Sequence, residues 1–210
     1  MGDSLSAGSG IFATRFMHLF IENRGVVAAI GGEGTWRKYL TLPNILKEFN
    51  PNLIGYSLGD SATTQPQSEM NVAEVGAMSK DMPFMAEQLV KKMKNDPRIN
   101  IQKHWKLISL FIGSNDFCSE MCISPSPWSI LESHKNDLIT TLRILRDNLP
   151  RTFVSILIPP HLKAFINSRK GRFSLDCYFI TNIVCPCLIG LQYKDRRAEY
   201  YNVISRSVCV

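Results

Sequence analysis

The stretch "WKLISLFIGSND", residues 105–116, decides the fold class of this chain. Residues 105–113 are almost all apolar, which is typical of a strand that is buried on both faces. The stretch "TFVSILIPP", residues 152–160, has the same character, and an amphipathic pattern of helical length, residues 129–150, separates the two. Strands that alternate with helices predict an α/β fold, in which a parallel sheet carries helices on both faces.

Two more helices and three short strands are predicted before this unit. Thr41 would cap a helix in residues 41–52, with Pro43 in its first turn. Asp81 would cap a helix over residues 81–96, whose apolar face is formed by Met85, Leu89 and Met93. The strand candidates, of which the second also fits a loop, are residues 25–32, 52–59 and 70–77.

The length and composition indicate one globular domain. The chain has 210 residues, of which 45% are hydrophobic and 20% charged. The net charge of +6 is mild, and no motif interleaves aromatic with basic residues, so we expect no nucleic-acid partner. A weak preference for anionic membrane surfaces stays open. No apolar run reaches transmembrane length, and no signal peptide precedes Gly2.

The six cysteines favour disulfide bonds and an oxidising compartment, since their spacing does not match a zinc site. Cys118 and Cys122 lie in a loop rich in turn residues, so we expect them to form a disulfide bond with each other. Cys185 and Cys187 are too close in an extended chain to pair comfortably. At least one of these two therefore needs another partner, for which Cys177 is a candidate.

Small or polar residues follow three predicted strands, at the positions where parallel sheets form their sites. Asn115 follows the strand in residues 105–113, Gly76 ends the candidate in residues 70–77, and Ser4 would follow a strand whose beginning this chain lacks. An asparagine amide can donate to a developing oxyanion, and a glycine lets a substrate oxygen reach a backbone N–H. Composition alone favours ordinary turns at all three positions.

Together these motifs resemble the GDSL, or SGNH, hydrolase family. Residues 2–5 match its first block, G-D-S-L, Gly76 matches the glycine of its second, and residues 113–116 match its third, G-x-N-D. The resemblance implies that Ser4 is the nucleophile. It also implies that the N–H groups of Ser4 and Gly76 and the side chain of Asn115 hold the oxyanion, with no metal and no organic cofactor.

The closer resemblance is to the phospholipase B branch of this family. It is carried by "GGEGTW", "TLPNILKEFNPNLIGYS", "LVKKMKNDPRI", "WKLISLFIGSNDFC" and "VCPCLIG". It implies a three-layer α/β/α sandwich with a central parallel sheet, flavodoxin-like and incomplete at both ends. We therefore expect residues 1–202 to form a partial hydrolase domain and residues 203–210 to be a divergent tail. Members of this branch are secreted or anchored to the outer face of a membrane.

The resemblance implies a lipid esterase that hydrolyses fatty-acyl esters of phospholipids or lysophospholipids through an acyl-serine intermediate, with peripheral membrane contact. One alternative is a truncated, non-catalytic protein that binds lipid or has decayed. The other is a carbohydrate esterase of the same superfamily, which the phospholipase-like stretches disfavour.

A serine nucleophile needs a general base, which the family takes from a D-x-x-H block. None of the four histidines here follows an acidic residue by three positions, so the catalytic His and Asp are missing and we expect weak or no activity. His161 follows a predicted strand and is the substitute to test first. His104 precedes a strand and should lie at the opposite edge, whereas His18 and His134 fall in helical patterns and are predicted at the surface.

Overall fold

Residues 1–159, 162–168 and 175–207 are described by a computed structural model of the chain. Residues 165, 166, 168 and 175–178 are described by their backbone alone. His161 and the side chain of Cys177, both singled out from the sequence, lie outside the described part.

A small parallel sheet forms the centre of the molecule. Strand β1 (Lys106–Leu110) pairs in parallel with strand β2 (Thr152–Ile156). On the other side of β1 the first residues of the chain run parallel to it: Gly2 bridges to Phe111, whose carbonyl accepts the Asp3 N–H at 3.3 Å. The predicted α/β class with a parallel sheet is confirmed, and in the described residues the sheet is incomplete, with two regular strands.

Helices make up most of the regular structure. The described α-helices are α1 (Ser4–Ala7), α2 (Leu42–Leu46), α3 (Met82–Asn95), α4 (Ser129–Asn148), α5 (Leu162–Ser168), α6 (Leu175–Val184), α7 (Pro186–Ile189) and α8 (Arg197–Ser207). Short 3₁₀ turns cover Phe16–Phe20, Arg24–Val26, Pro66–Ser68, Ser79–Asp81 and Leu191–Arg196, and a π-helical turn covers Asp116–Glu120. Helices α2, α3 and α4 lie where the sequence predicts them, and Thr41 caps α2 by accepting the Asn44 N–H at 3.3 Å.

The main core lies between one face of the sheet and the two long helices. Ile108 and Leu110 of β1 are buried against α3 and against Leu145 of α4. The predicted apolar face of α3 is confirmed by its buried residues, which include Met85, Leu89 and Met93. The opposite face of the sheet is largely open, with Leu107 44% and Phe153 64% exposed. The sandwich is therefore incomplete in the described residues.

No strand forms at residues 25–32 or at residues 70–77, so both of these predictions are wrong. Residues 52–59 form a loop, in which Ser57 makes one parallel bridge, to Gly31. The buried side chain of Arg24 explains the failure at residues 70–77. Its guanidinium donates to the carbonyls of Asn71 and Ala73, at 3.2 and 2.7 Å. These carbonyls are therefore satisfied by a side chain instead of a neighbouring strand.

A second apolar cluster joins the chain after residue 116 to the last helices. Phe117, Met121 and Ile130 pack with Leu188 of α7 and Tyr200 of α8. Val203 and Ile204 of α8 are buried in the same cluster. The boundary predicted at residue 202 stays a prediction.

The predicted disulfide between Cys118 and Cys122 is wrong. Cys118 bonds to Cys185, and Cys122 bonds to Cys187. The chain around Cys118 is a helical turn rather than a curled loop, so that both cysteines are buried in the second cluster and meet the two cysteines at α7. The expectation that Cys185 or Cys187 needs a distant partner is confirmed for both.

Candidate active site

Ser4 opens α1 directly after the segment that pairs with β1. Asp3 caps the helix, since its Oδ1 accepts the Leu5 N–H at 2.9 Å. Gly8 ends the helix in the left-handed conformation, with φ 77°, and its N–H donates to the Ser4 carbonyl. The sharp change from strand to short helix presents the half-buried Ser4 at the carboxyl edge of the sheet.

Gly2 is required by the close approach of this segment to β1. Its φ is 150°, and a Cβ added there would lie 2.2 Å from the Phe111 carbonyl oxygen. No side chain fits at that distance. Packing therefore requires the glycine of G-D-S-L, which lets the backbone before Ser4 lie against the central strand.

Gly76 and Asn115 lie on segments that are hydrogen-bonded to each other and to the Ser4 segment. Gly76 is exposed in a turn with φ 80°, where only glycine is free of strain. In the same turn the Glu74 N–H donates to the Gly2 carbonyl at 3.1 Å. The Asn115 Nδ2 donates to the Ala77 carbonyl at 2.9 Å, which leaves its second N–H for another acceptor. All three segments meet at the carboxyl edge of the sheet.

Asp116 holds the Asn115 turn against α4 and against the 3₁₀ turn Ser79–Asp81, which precedes α3. Its buried carboxylate accepts the Ser79 N–H at 3.0 Å and also the Ser79 hydroxyl, and its Oδ1 lies 3.9 Å from the Nδ1 of His134. Burial by itself would raise the pKa of Asp116, but the interactions with His134 and Ser79 outweigh it and leave the pKa below its usual value. The carboxylate therefore stays ionised and keeps three elements together.

The pKa of Asp3 is shifted in the direction opposite to that of Asp116. Its side chain is buried, and among the described residues its Oδ2 has no hydrogen-bond partner. Burial raises the pKa of Asp3 to about 6, and the negative charge of Asp116 acts in the same direction, against the Leu5 N–H. The residue next to Ser4 therefore changes its charge in the mildly acidic range.

The prediction of His134 at the surface is wrong, because only 12% of its side chain is exposed. The ring packs against Gly113, where an added Cβ would lie 3.1 Å from the His134 Cε1, and against Phe117 at 6.0 Å between ring centroids. Helical spacing could not reveal this, since both partners belong to another element. His104 precedes β1, at the edge opposite to Ser4, as predicted. In the described part of the chain no hydrogen bond joins a histidine to Ser4.

A groove of about 650 Å³ opens beside Gly76. It runs along one side of α3, and its lining includes Val72, Val75, Phe84, Met85 and Lys92. The sulfur of Met85 accepts the Gly2 N–H at 3.4 Å, so the floor of the groove touches the segment that carries Ser4. The volume falls in the range of small-molecule sites, and the lining combines apolar side chains with polar ones, among them Glu74, Asp81 and Gln88.

The described residues place no three potential metal ligands together. Nor does any described helix have the length and apolar character of a membrane span. Residues 1–206 match the sequence model of the GDSL-like lipase/acylhydrolase family.

The chain belongs to the GDSL-like lipase/acylhydrolase family.

Relatives of this GDSL chain support its resemblance to the phospholipase B branch, which is confirmed. It is 40% identical to "Phospholipase B1, membrane-associated" of Rattus norvegicus over 188 residues, and 38% identical to the protein of the same name of Homo sapiens over 203 residues. These matches cover 90% and 97% of this chain. The matched segments make up 12% and 13% of the relatives' own lengths. No solved structure matches the chain significantly.

Proposed function

We propose that this chain carries the nucleophile and the oxyanion site of a lipid esterase that cleaves fatty-acyl esters of phospholipids or lysophospholipids. The observation that carries the proposal is the meeting of the Ser4, Gly76 and Asn115 segments at one edge of the sheet, joined by hydrogen bonds. The relatives are named membrane-associated phospholipases B1. These names favour a lipid as the substrate and peripheral contact of the protein with the membrane that contains this lipid.

In the proposed reaction the Ser4 oxygen attacks the ester carbonyl while a base takes its proton. The carbonyl oxygen becomes an oxyanion, which accepts hydrogen bonds from the N–H groups of Ser4 and Gly76 and from the free N–H of Asn115. Collapse of this intermediate breaks the ester bond, and the leaving alcohol takes the proton from the base. Water then hydrolyses the acyl-serine by the same steps and releases the fatty acid.

The general base is the part of the reaction that the described residues do not supply. Among the described residues no histidine is hydrogen-bonded to Ser4, and the Asp116 carboxylate already accepts hydrogen bonds from Ser79 and lies 3.9 Å from the Nδ1 of His134. We therefore propose that turnover at enzyme rates requires a D-x-x-H segment besides these 210 residues. Without a base, an oxyanion site and binding alone accelerate such reactions only about 10³–10⁴-fold over water.

The groove beside Gly76 is the proposed site of the fatty-acyl chain. An ester whose carbonyl oxygen points to Gly76 and Asn115 has one arm directed into the groove. The groove follows α3 from Phe84 to Lys92, about 12 Å at the rise of a helix. An acyl chain can extend over this length, and it matches the apolar part of the lining.

Ester hydrolysis by the purified chain, with and without an appended D-x-x-H segment of a relative, tests the proposed chemistry. We expect background hydrolysis of a short-chain ester by the 210 residues and a rise of at least about 100-fold with the segment, since a positioned base contributes roughly 10²–10⁴-fold. The Ser4→Ala variant should abolish the gain. Gain that persists in Ser4→Ala would refute the assignment of the nucleophile.

The chain with the appended D-x-x-H segment also tests whether the groove binds the acyl chain, by comparing substrates of different acyl-chain length. Val75 is 51% exposed and lines the groove, so Val75→Trp should lower the rate with long-chain lysophospholipids at least about tenfold and leave a short-chain ester unaffected. Val184, which is 54% exposed and does not line the groove, provides the matched control Val184→Trp. Equal effects of the two variants on long chains would contradict the acyl site.

A further inference from the structure

Residues 10–21, here called the apolar loop, leave the body of the protein directly after the Ser4 helix and return to it. The loop is closed at its base by an antiparallel bridge between Ser9 and Glu22 and by the Gly10 N–H, which donates to the Ile21 carbonyl at 2.8 Å. Its 3₁₀ turn, Phe16–Phe20, contains no buried residue. The large side chains exposed on it are Ile11 48%, Phe12 56%, Phe16 48%, Met17 69%, Phe20 66% and Ile21 42%.

This exposure is unusual for a water-soluble surface. Single exposed apolar residues are common, but a contiguous group of this kind marks a place where a protein binds something apolar. Phe16 and Phe20 stack edge to face with 5.6 Å between their centroids, so the loop is organised around its own aromatic rings. Leu19 and Ala13 fold back onto Gly10.

The charged side chains of the apolar loop and of residues 36–39, which contact it through Tyr39, are positive, and Glu22 at the base of the loop is paired with Arg24. The loop contains Arg15 and no acidic residue. Its Phe12 ring lies 6.5 Å from the ring of Tyr39, and Tyr39 in turn carries Lys38 over its face at 4.9 Å. Arg37 lies over its neighbour Trp36. Arg15, Arg37 and Lys38, here called the basic rim, form no ion pair with any carboxylate in the part of the chain that the structure describes.

Apolar and aromatic side chains surrounded by cations are complementary to one kind of partner. Anionic lipid headgroups attract the cations, while the apolar side chains enter the boundary between headgroups and acyl chains, where aromatic rings are favoured. An apolar protein partner would not require the basic rim. The charge pattern therefore selects a lipid surface over a second copy of the chain, whose own rim would repel it.

The loop is also rigidly connected to the candidate nucleophile. The Ser9 N–H donates to the Ser4 carbonyl at 2.9 Å, and the Asn23 N–H donates to the Gly8 carbonyl at 2.9 Å. Both ends of the loop are thus bonded to the turn that presents Ser4. A lipid surface in contact with the loop would bring ester groups next to the candidate active site.

We propose that the apolar loop and the basic rim form a membrane-docking surface for anionic lipid bilayers. The proposal rests on the proposed function in one respect: docking would serve to deliver lipid esters to Ser4. Binding itself requires no catalysis.

Flotation with vesicles tests the surface on the full 210-residue chain. Vesicles of equimolar phosphatidylcholine and phosphatidylserine should bind the wild type, and phosphatidylcholine vesicles should bind it more weakly. The double variant Phe16→Ser/Phe20→Ser should lose at least about tenfold in affinity, since burial of even one of the two phenylalanines contributes roughly that much. Trp105→Ser is the matched control, because Trp105 is 75% exposed but precedes β1 at the opposite edge.

The cations are tested in the same assay. Arg15→Gln/Arg37→Gln/Lys38→Gln should abolish the preference for phosphatidylserine, whereas the control Lys91→Gln/Lys94→Gln/Lys103→Gln, with the same change in net charge, should keep it. Wild-type affinity in the phenylalanine variant, or absence of flotation in the wild type, would overturn the proposal. So would self-association without vesicles that only the loop variants lose, since the surface would then bind a second copy.

One further variant separates this proposal from the proposed function. Ser4→Ala should float like the wild type, and the Phe16→Ser/Phe20→Ser variant carrying an appended D-x-x-H segment should keep short-chain ester hydrolysis. Docking without hydrolysis would refute the function alone, and hydrolysis without docking would refute the surface alone.

Discussion

Asp3 shows at the scale of one residue how the position next to Ser4 affects stability. Burial raises its pKa to about 6 from 3.8, so the folded state binds a proton that the unfolded state has released between these two values. The free energy of unfolding therefore falls as the pH rises from about 4 to about 6, and the loss remains complete at higher pH. An ionised Asp3 thus destabilises the fold at neutral pH.

Asp3→Asn should raise the free energy of unfolding at pH 7.5 by about 1–3 kcal/mol, because asparagine caps a helix as well as aspartate and carries no charge. The gain should shrink as the pH falls below about 6 and disappear near pH 3, where Asp3 is largely protonated in both the folded and the unfolded state. Denaturant titrations at the two pH values measure it. Glu48→Gln, at an exposed carboxylate, is the control and should change little. A less stable Asp3→Asn at pH 7.5 would contradict the burial cost.

Arg24 determines the structure of a whole element. It is fully buried, pairs with Glu22 at 2.8 Å, and donates to the carbonyls of Ser61, Asn71 and Ala73. These bonds fix the extended segment that leads to Gly76 without a neighbouring strand. The position of the candidate oxyanion turn therefore depends on a residue that is far from it in the sequence.

Arg24→Met should destabilise the protein by about 3–5 kcal/mol, since it leaves several buried carbonyls and the Glu22 carboxylate without a donor. Thermal or denaturant unfolding measures the loss, and protease cleavage around residues 61–75 should increase. Arg146→Met is the control, because Arg146 is 71% exposed and its ion pair in the described part of the chain is with the exposed Asp147. Equal stabilities of the two variants would show that Arg24 is not needed to hold the segment.

At the scale of the molecule, the described residues form two separate apolar clusters, and two disulfides lie within one of them. The bonds Cys118–Cys185 and Cys122–Cys187 close loops of 67 and 65 residues, and both lie in the second cluster. A loop of this length corresponds to about 4 kcal/mol of stabilisation for the first bond, and the second adds less because its loop is already closed. The main core around β1, α3 and α4 contains neither bond.

Cys185→Ser/Cys187→Ser should therefore lower stability by about 4 kcal/mol or more and release α6 to α8 before the main core unfolds. Hydrogen exchange should rise first in residues 175–207, while α3 and β1 stay protected. Peptide mapping without reduction should recover the Cys118–Cys185 and Cys122–Cys187 cross-links in the parent protein. A peptide with Cys118 bonded to Cys122 would contradict this connectivity.

Local patterns were sufficient for the elements whose stability is local. Helices α2 to α4 and strands β1 and β2 are predicted correctly because capping residues, helical periodicity and continuous apolar runs are properties of neighbouring residues. The family, and with it the candidate roles of Ser4, Gly76 and Asn115, follows from short motifs, since a chemical site restricts residue types even where the surrounding fold is unknown.

What only the tertiary structure decided are the contacts between distant segments. The partners of Cys118 and Cys122, the burial of His134 beside Asp116, and the replacement of a strand by the Arg24 side chain all join residues from different elements. The exposure of the apolar loop also depends on the tertiary structure, because an apolar stretch has the same sequence pattern whether it is buried in the core or exposed. Burial depends on what the rest of the chain packs against, and no local pattern contains that information.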